Sequence, residues 1–161
     1  VAHSRTGQGR FYRELTTATA LWLSEDFYGG DREAGREVCR RVKQRLHPLL
    51  NKFSGEEEQK KLLLLLAQAS ELAGELQEAE DYFEQLLLCQ ETYAEGWAQY
   101  GLYLWRQGHQ EESVRLWEEY RASDSGSENA GEGGKKCVLS ESGTVRLWEE
   151  RVHEWRKKEK K

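Results

Sequence analysis

An internal repeat is the feature that most constrains how this sequence can fold. When residues 60–93 are aligned with residues 94–127, large, small and turn positions keep the same order throughout. The aligned pairs are Leu63/Trp97, Leu66/Tyr100, Ala67/Gly101, Gly74/Gly108, Ala79/Ser113, Phe83/Trp117 and Leu86/Tyr120. A unit of this length cannot bury its apolar face alone, so the repeat predicts helical hairpins that stack on one another.

Turn residues and apolar periodicity divide the chain into predicted helices. Glycines interrupt the pattern at Gly29, Gly30, Gly74 and Gly108, and the 161 residues contain a single proline, Pro48. Because proline is so rare and strong helix formers are frequent, helices are favoured over strands. The predicted helices are 9–26, 32–50, 56–73, 76–89, 93–107, 110–122 and 144–158.

Polar residues mark the predicted starts of three helices. Asp31 precedes the second helix as a candidate N-cap. Ser54-x-x-Glu57 and Thr92-x-x-Glu95 have the spacing of a capping box, in which two side chains bond to backbone N–H groups reciprocally. These signals predict helices that begin near residues 32, 56 and 93.

The repeat resembles the tetratricopeptide repeat. Its small residues fall where that family brings two helices close together, and bulky residues fill the spaces between. Few aligned pairs are identical, and the proline usual at the end of each repeat is absent. The identical pairs are Gly74/Gly108, Glu78/Glu112 and Glu84/Glu118. The resemblance implies an all-α fold, an α-solenoid of antiparallel helical hairpins, with a separate C-terminal helix.

Composition and repeat boundaries together predict the organisation of the chain. Residues 1–52 form an N-terminal helical hairpin, either a divergent repeat or a cap, and residues 53–122 form two hairpins of the tetratricopeptide type. Residues 123–143, rich in Ser, Gly and acidic residues, are expected to be a flexible linker. An amphipathic C-terminal helix, 144–158, and a basic tail, 159–161, complete the chain.

The predicted C-terminal helix carries one apolar stripe. Val145, Trp148, Val152 and Trp155 recur at helical spacing. The segment 145–150 also repeats the sequence of segment 114–119, which belongs to the second helix of a hairpin. Two interpretations stay open: the helix caps the solenoid or occupies its groove, or it docks onto another protein.

The family resemblance implies a concave groove formed by the first helices of the repeats. The implied wall consists of Lys61, Leu64, Leu65, Gln68 and Leu72 from one repeat and Glu95, Ala98, Gln99, Leu102, Trp105 and Arg106 from the next. Repeats that hold a chaperone's terminal carboxylate place a basic clamp there, and this chain has Leu64, Gln68, Ala98 and Leu102 instead.

An apolar wall of this kind fits an amphipathic helix or peptide of a partner protein. Leu102 and Trp105 are the best candidates to contact such a partner. The alternative is that these two side chains pack against a neighbouring helix of the same chain. The predicted function is therefore that of a protein-interaction module, an adaptor or an assembly subunit.

Charge leaves one other function open. The net charge is −5, but both ends of the sequence are basic and the middle is acidic. Candidate nucleic-acid contacts are a stripe on the second helix and the C-terminal cations, namely Arg36, Arg40, Lys43, Arg156, Lys157, Lys158, Lys160 and Lys161. The chain could thus be an RNA-associated helical-repeat protein, unless the stripe faces the acidic repeats. The degenerate repeats leave a third interpretation open, in which the protein is a structural subunit of a large complex.

Residues that could carry chemistry are scattered. The three cysteines, Cys39, Cys89 and Cys137, form no C-x-x-C pair, and the four histidines lie in separate segments. We therefore expect no enzyme, no metal and no cofactor. The unpaired cysteines indicate an intracellular protein, cytoplasmic first, with the nucleus or an organelle left open. No apolar run has the roughly 20 residues that a membrane span requires.

Overall fold

The computed structural model describes residues 2–89, 93–128 and 143–159. Most of these residues are helical, and none of them forms a strand. The predicted all-α class is confirmed. The helices are α1 (Ala2–Thr19), α2 (Glu25–Tyr28), α3 (Arg32–Leu46), α4 (Leu49–Lys52), α5 (Glu56–Leu72), α6 (Leu76–Cys89), α7 (Ala94–Arg106), α8 (Gln110–Glu128) and α9 (Gly143–Glu159). A 3-10 helix, Ala20–Leu23, follows α1.

The chain forms two compact units. The N-terminal unit, Val1–Gln90, contains α1 to α6, and the C-terminal unit, Glu91–Lys161, contains α7 to α9. Each unit has buried aromatic or aliphatic side chains of its own.

Helix α5 is central to the N-terminal unit because it packs against both α3 and α6. On α3, Val38, Val42 and Leu46 are spaced by four residues and form one buried stripe. The leucine run of α5 supplies Leu62 and Leu66 to the same core. The remaining buried members of this core are Phe11, Ala18, Leu49 and Ala69.

The helix starts agree with two of the sequence signals, with one shift. Asp31 caps α3, since its carboxylate oxygen accepts a hydrogen bond from the Ala34 N–H at 2.8 Å. Helix α5 begins at Glu56, as predicted, but its N-cap is Gly55 and not Ser54. Glu58 accepts a hydrogen bond from the Gly55 N–H at 2.9 Å, which is only one half of a capping box, because glycine has no side chain to supply the other half. Thr92 lies outside the described residues.

Several helices have other bounds than the sequence predicts. The predicted helix 9–26 is divided, because Ser24 adopts an extended backbone between the 3-10 helix and α2. The predicted helix 32–50 is divided at Pro48, whose ring cannot continue a helix. Helix α8 continues to Glu128 and enters the predicted linker, because extending a formed helix needs no new nucleus. Residues 129–142 of that linker lie outside the described residues.

Both repeat turns contain a glycine in the left-handed conformation. Gly74 has φ +84° and Gly108 has φ +85°. An L-residue is strained there, whereas glycine is not.

We expect Gly108→Ala to lower the free energy of unfolding by about 1 kcal/mol, measured by urea denaturation followed by circular dichroism. Gly9→Ala is the control, since Gly9 lies inside α1 with open space around it; a similar loss there would contradict the conformational explanation.

The C-terminal unit is built on α7, which packs against both α8 and α9. Thr144 at the start of α9 donates a hydrogen bond to Glu95 at the start of α7, at 2.8 Å. Further along, Trp148 of α9 lies against Gly101 of α7. The two helices therefore run in the same direction. The contacts of Thr144 with Glu95 and of Trp148 with Gly101 fix the position of α9 on α7.

Candidate partner-binding surfaces

The predicted groove residues of α5 differ in exposure. Leu64, Leu65 and Gln68 are half-buried, and Leu72 is 50% exposed. Leu65 packs against the core of the N-terminal unit, so it is already used by the fold. We call Leu64, Gln68 and Leu72 the α5 stripe, because their spacing of four residues places them along one face of the helix. Lys61 is exposed one turn before the stripe.

The predicted groove residues of α7 are less accessible. Ala98 and Leu102 are buried, and Leu102 is only 7% exposed. Gln99 is half-buried and donates a hydrogen bond to Glu95 at 2.8 Å. Trp105 is half-buried, and Arg106 is exposed. The burial of Leu102 corresponds to the alternative in which this side chain belongs to the interior of the protein.

Three residues of the predicted α9 stripe are buried within the C-terminal unit. Val145, Trp148 and Val152 have almost no exposed surface, whereas Trp155 is only half-buried. Since α9 packs against α7 and α8, its apolar face is covered by the same chain. This arrangement corresponds to the intramolecular interpretation of the C-terminal helix.

Gly101 makes room for the indole ring of Trp148. A Cβ atom at position 101 would overlap Cε2 and Nε1 of that ring. The ring also meets Trp117 of α8 edge-on, with centroids 5.1 Å apart and planes at 85°. This geometry is favourable for aromatic pairs. Trp117 and Trp148 occupy the same position in the two identical segments 114–119 and 145–150, so the repeated sequences supply two sides of one contact.

Ser113 completes the polar part of this contact. Its hydroxyl donates a hydrogen bond to the Gly101 carbonyl at 2.7 Å and accepts one from Trp148 Nε1 at 3.0 Å. All three groups are buried. A buried indole N–H without a partner would cost about 1 to 3 kcal/mol, so Ser113 stabilises the packing of Trp148, and with it α9, against α7 and α8.

The repeat alignment predicted that Gly101 and Ser113 are small because they let the two helices of one hairpin, α7 and α8, come close together. The hydrogen bond between them agrees with that approach. Their contact with Trp148 could not be read from the repeat alignment, because α9 lies outside the aligned residues. In the structure, the indole ring of Trp148 adjoins both residues: it lies against Gly101 and donates a hydrogen bond to Ser113.

The basic stripe of α3 is paired with acidic residues of the N-terminal unit. Lys43 donates hydrogen bonds to Glu75 and Glu78. Arg40 lies 3.6 Å from Glu75 and donates to Glu37 at 2.9 Å. Burial by itself lowers the pKa of Lys43, but the two carboxylates outweigh it and raise the pKa above its ordinary value. These contacts correspond to the alternative in which the stripe faces the acidic repeats.

Three of the C-terminal cations, Arg156, Lys157 and Lys158, lie on the last turn of α9. Arg156 pairs with Glu118 of α8 at 2.9 Å, and Lys157 and Lys158 are exposed. Cations are stabilised at this end of a helix by its dipole. Lys160 and Lys161 lie outside the described residues.

The described cysteines have contrasting surroundings. Cys39 is buried, and its sulfur accepts a hydrogen bond from Trp22 Nε1 at 3.3 Å. Burial raises the pKa of the Cys39 thiol, although the indole N–H acts in the opposite direction. Cys89 is exposed at the end of α6. Cys137 lies outside the described residues.

Two features are absent from the described residues. Within residues 2–89, 93–128 and 143–159, no group of three or more His, Cys, Asp and Glu side chains is arranged to hold a metal ion. In the same residues, no helix combines the length and apolar character needed to cross a membrane.

Comparisons with known proteins give no assignment by similarity. No protein-family model, no curated protein and no solved structure matches this chain.

Proposed function

We propose that the protein is an interaction module, an adaptor or assembly subunit, that binds an amphipathic helix of a partner protein along the α5 stripe. The observation that supports this most is the exposure of Leu72, which is 50% exposed at one end of the stripe. The opposite face of α5 already forms the core through Leu62 and Leu66. Leu72 therefore offers apolar surface beyond what the core of this unit uses.

The geometry of the stripe fits a helical partner. Leu64, Gln68 and Leu72 repeat every four residues, which produces a ridge of the kind that packs into the groove of another helix. Full burial of a leucine contributes about 1.5 to 3 kcal/mol, so covering the exposed half of Leu72 contributes about half of that. Gln68 adds a polar group that can fix the register of the partner.

The RNA-associated alternative has less support. It relied on the cations of α3 and of the C-terminal segment, and Lys43, Arg40 and Arg156 each contact a carboxylate. A cation that is paired within the protein contributes less to the electrostatic attraction of phosphate. A protein partner is therefore the better-supported proposal.

A single charge on the α5 stripe tests the proposal. Leu72→Glu would place a carboxylate inside the proposed apolar contact, where an unpaired charge is costly. We expect recovery of specific partners by affinity purification, quantified by mass spectrometry, to fall by about tenfold or more. Leu88→Glu is the matched control, because Leu88 is the more exposed leucine and lies on α6.

Both variants should keep the circular dichroism of the unmodified chain, since both leucines are exposed. Unchanged recovery with Leu72→Glu would remove the α5 stripe as the binding surface. Leu102→Glu would not be informative, because that side chain is buried and its replacement would test stability instead.

A further inference from the structure

The corner between α1 and α3 carries the second surface of interest. Leu23, two residues before the short helix α2, is 82% exposed, and Tyr28, the last residue of α2, is 71% exposed. They border a surface cavity of about 610 Å³. We call its lining residues the corner patch; they are Leu23, Ser24, Glu25, Asp26, Tyr28, Gly29 and Gly30.

The exposure of Leu23 and Tyr28 is not explained by the packing of the corner. Their neighbours Trp22 and Phe27 make the contacts with the core of the N-terminal unit. Tyr28 touches the fold through the edge of the Phe27 ring, with centroids 4.7 Å apart. Single exposed apolar residues are common, but two large ones beside one cavity form a contact surface.

The charged groups of the corner patch are both acidic. Glu25 and Asp26 are exposed, no cation lines the cavity, and neither carboxylate forms an ion pair with a described side chain. The Ser24 hydroxyl is shielded from solvent and has no hydrogen-bond partner among the described residues. It does not cap α2 either. The patch thus combines apolar walls, two carboxylates and one unused hydroxyl.

We propose that the corner patch binds a basic peptide segment of another protein, with a lysine or arginine between Glu25 and Asp26 and an adjacent apolar side chain against Leu23 and Tyr28. Charge complementarity supports this occupant, since the carboxylates attract a cation and repel nucleic acid or an anionic lipid surface. The inference goes beyond the α5 stripe and does not depend on it, because the two surfaces consist of different residues.

The test uses the full chain and a fluorescent amphipathic peptide composed of leucine and lysine, titrated by anisotropy. Leu23→Ser/Tyr28→Ser should weaken binding by about tenfold through lost apolar contact. Glu25→Gln/Asp26→Asn should weaken it by several-fold and reduce its dependence on salt. A peptide of the same pattern with glutamate in place of lysine should not bind.

Matched controls separate this site from general attraction to an acidic protein. Leu88→Ser removes a leucine that is 84% exposed elsewhere in the same unit, and Glu56→Gln/Glu57→Gln removes two exposed carboxylates of α5. Both controls should leave the affinity unchanged. Equal binding by all variants, or no binding to the unmodified chain, would overturn the proposal. The proposal would also be overturned if the unmodified chain self-associated without binding the peptide and only Leu23→Ser/Tyr28→Ser abolished this self-association. The corner patch would then bind a second copy of the same chain.

Discussion

Replacing Trp148 by alanine should lower the free energy of unfolding of the C-terminal unit by about 3 to 5 kcal/mol. The side chain is 0% exposed. Its ring meets Trp117 edge-on, and its N–H donates to Ser113. Because Gly101 offers no side chain to fill the space, the truncation would leave a cavity that collapses poorly.

The loss is measured by urea denaturation followed by circular dichroism. Trp155→Ala is the control, because Trp155 is the same residue type on the same helix but is only half-buried. We expect the control to lose clearly less stability. Equal losses of stability for the two variants would mean that the buried contacts of Trp148 do not hold α9 in place.

Gly101→Ala should also destabilise the protein, although alanine is the better helix former by about 1 kcal/mol. The new methyl group would overlap the indole ring of Trp148. Overpacking of this kind costs about 1 to 3 kcal/mol, so the steric effect should exceed the gain in helix propensity.

The same change should have the opposite sign when Trp148 is already alanine. Without the indole, Gly101→Ala is left with its helix-propensity gain and should stabilise by about 0.5 to 1 kcal/mol. The double-mutant cycle measures this coupling by denaturation of the four proteins. Additive effects would contradict the direct contact between position 101 and the ring.

Much of the helical pattern could be predicted from the sequence. The repeat alignment located the turns at Gly74 and Gly108, and both have the left-handed backbone that glycine allows. The spacing of Val145, Trp148 and Val152 identified the buried face of α9. These predictions succeeded because local periodicity and turn chemistry act within a few residues.

Features that depend on tertiary neighbours could not be predicted in the same way. The burial of Leu102 and the half-exposure of Leu72 are decided by what packs beside each helix, not by the position of the residue in its repeat. The sequence left open whether the basic stripe faces nucleic acid or the acidic repeats, and the pairing of Lys43 with Glu75 joins residues distant in sequence. The corner patch was missed because a helix predicted across 9–26 is in fact interrupted at Ser24.

Site-specific photo-crosslinking tests the proposed binding surface most directly. Leu72, and separately Leu88, would be replaced by p-benzoylphenylalanine in cells that express the protein, and adducts identified by mass spectrometry after irradiation. If a partner binds along the α5 stripe, position 72 should give a discrete protein adduct that position 88 does not give. The same adducts from both positions, or none from position 72 under conditions where partners co-purify, would contradict it.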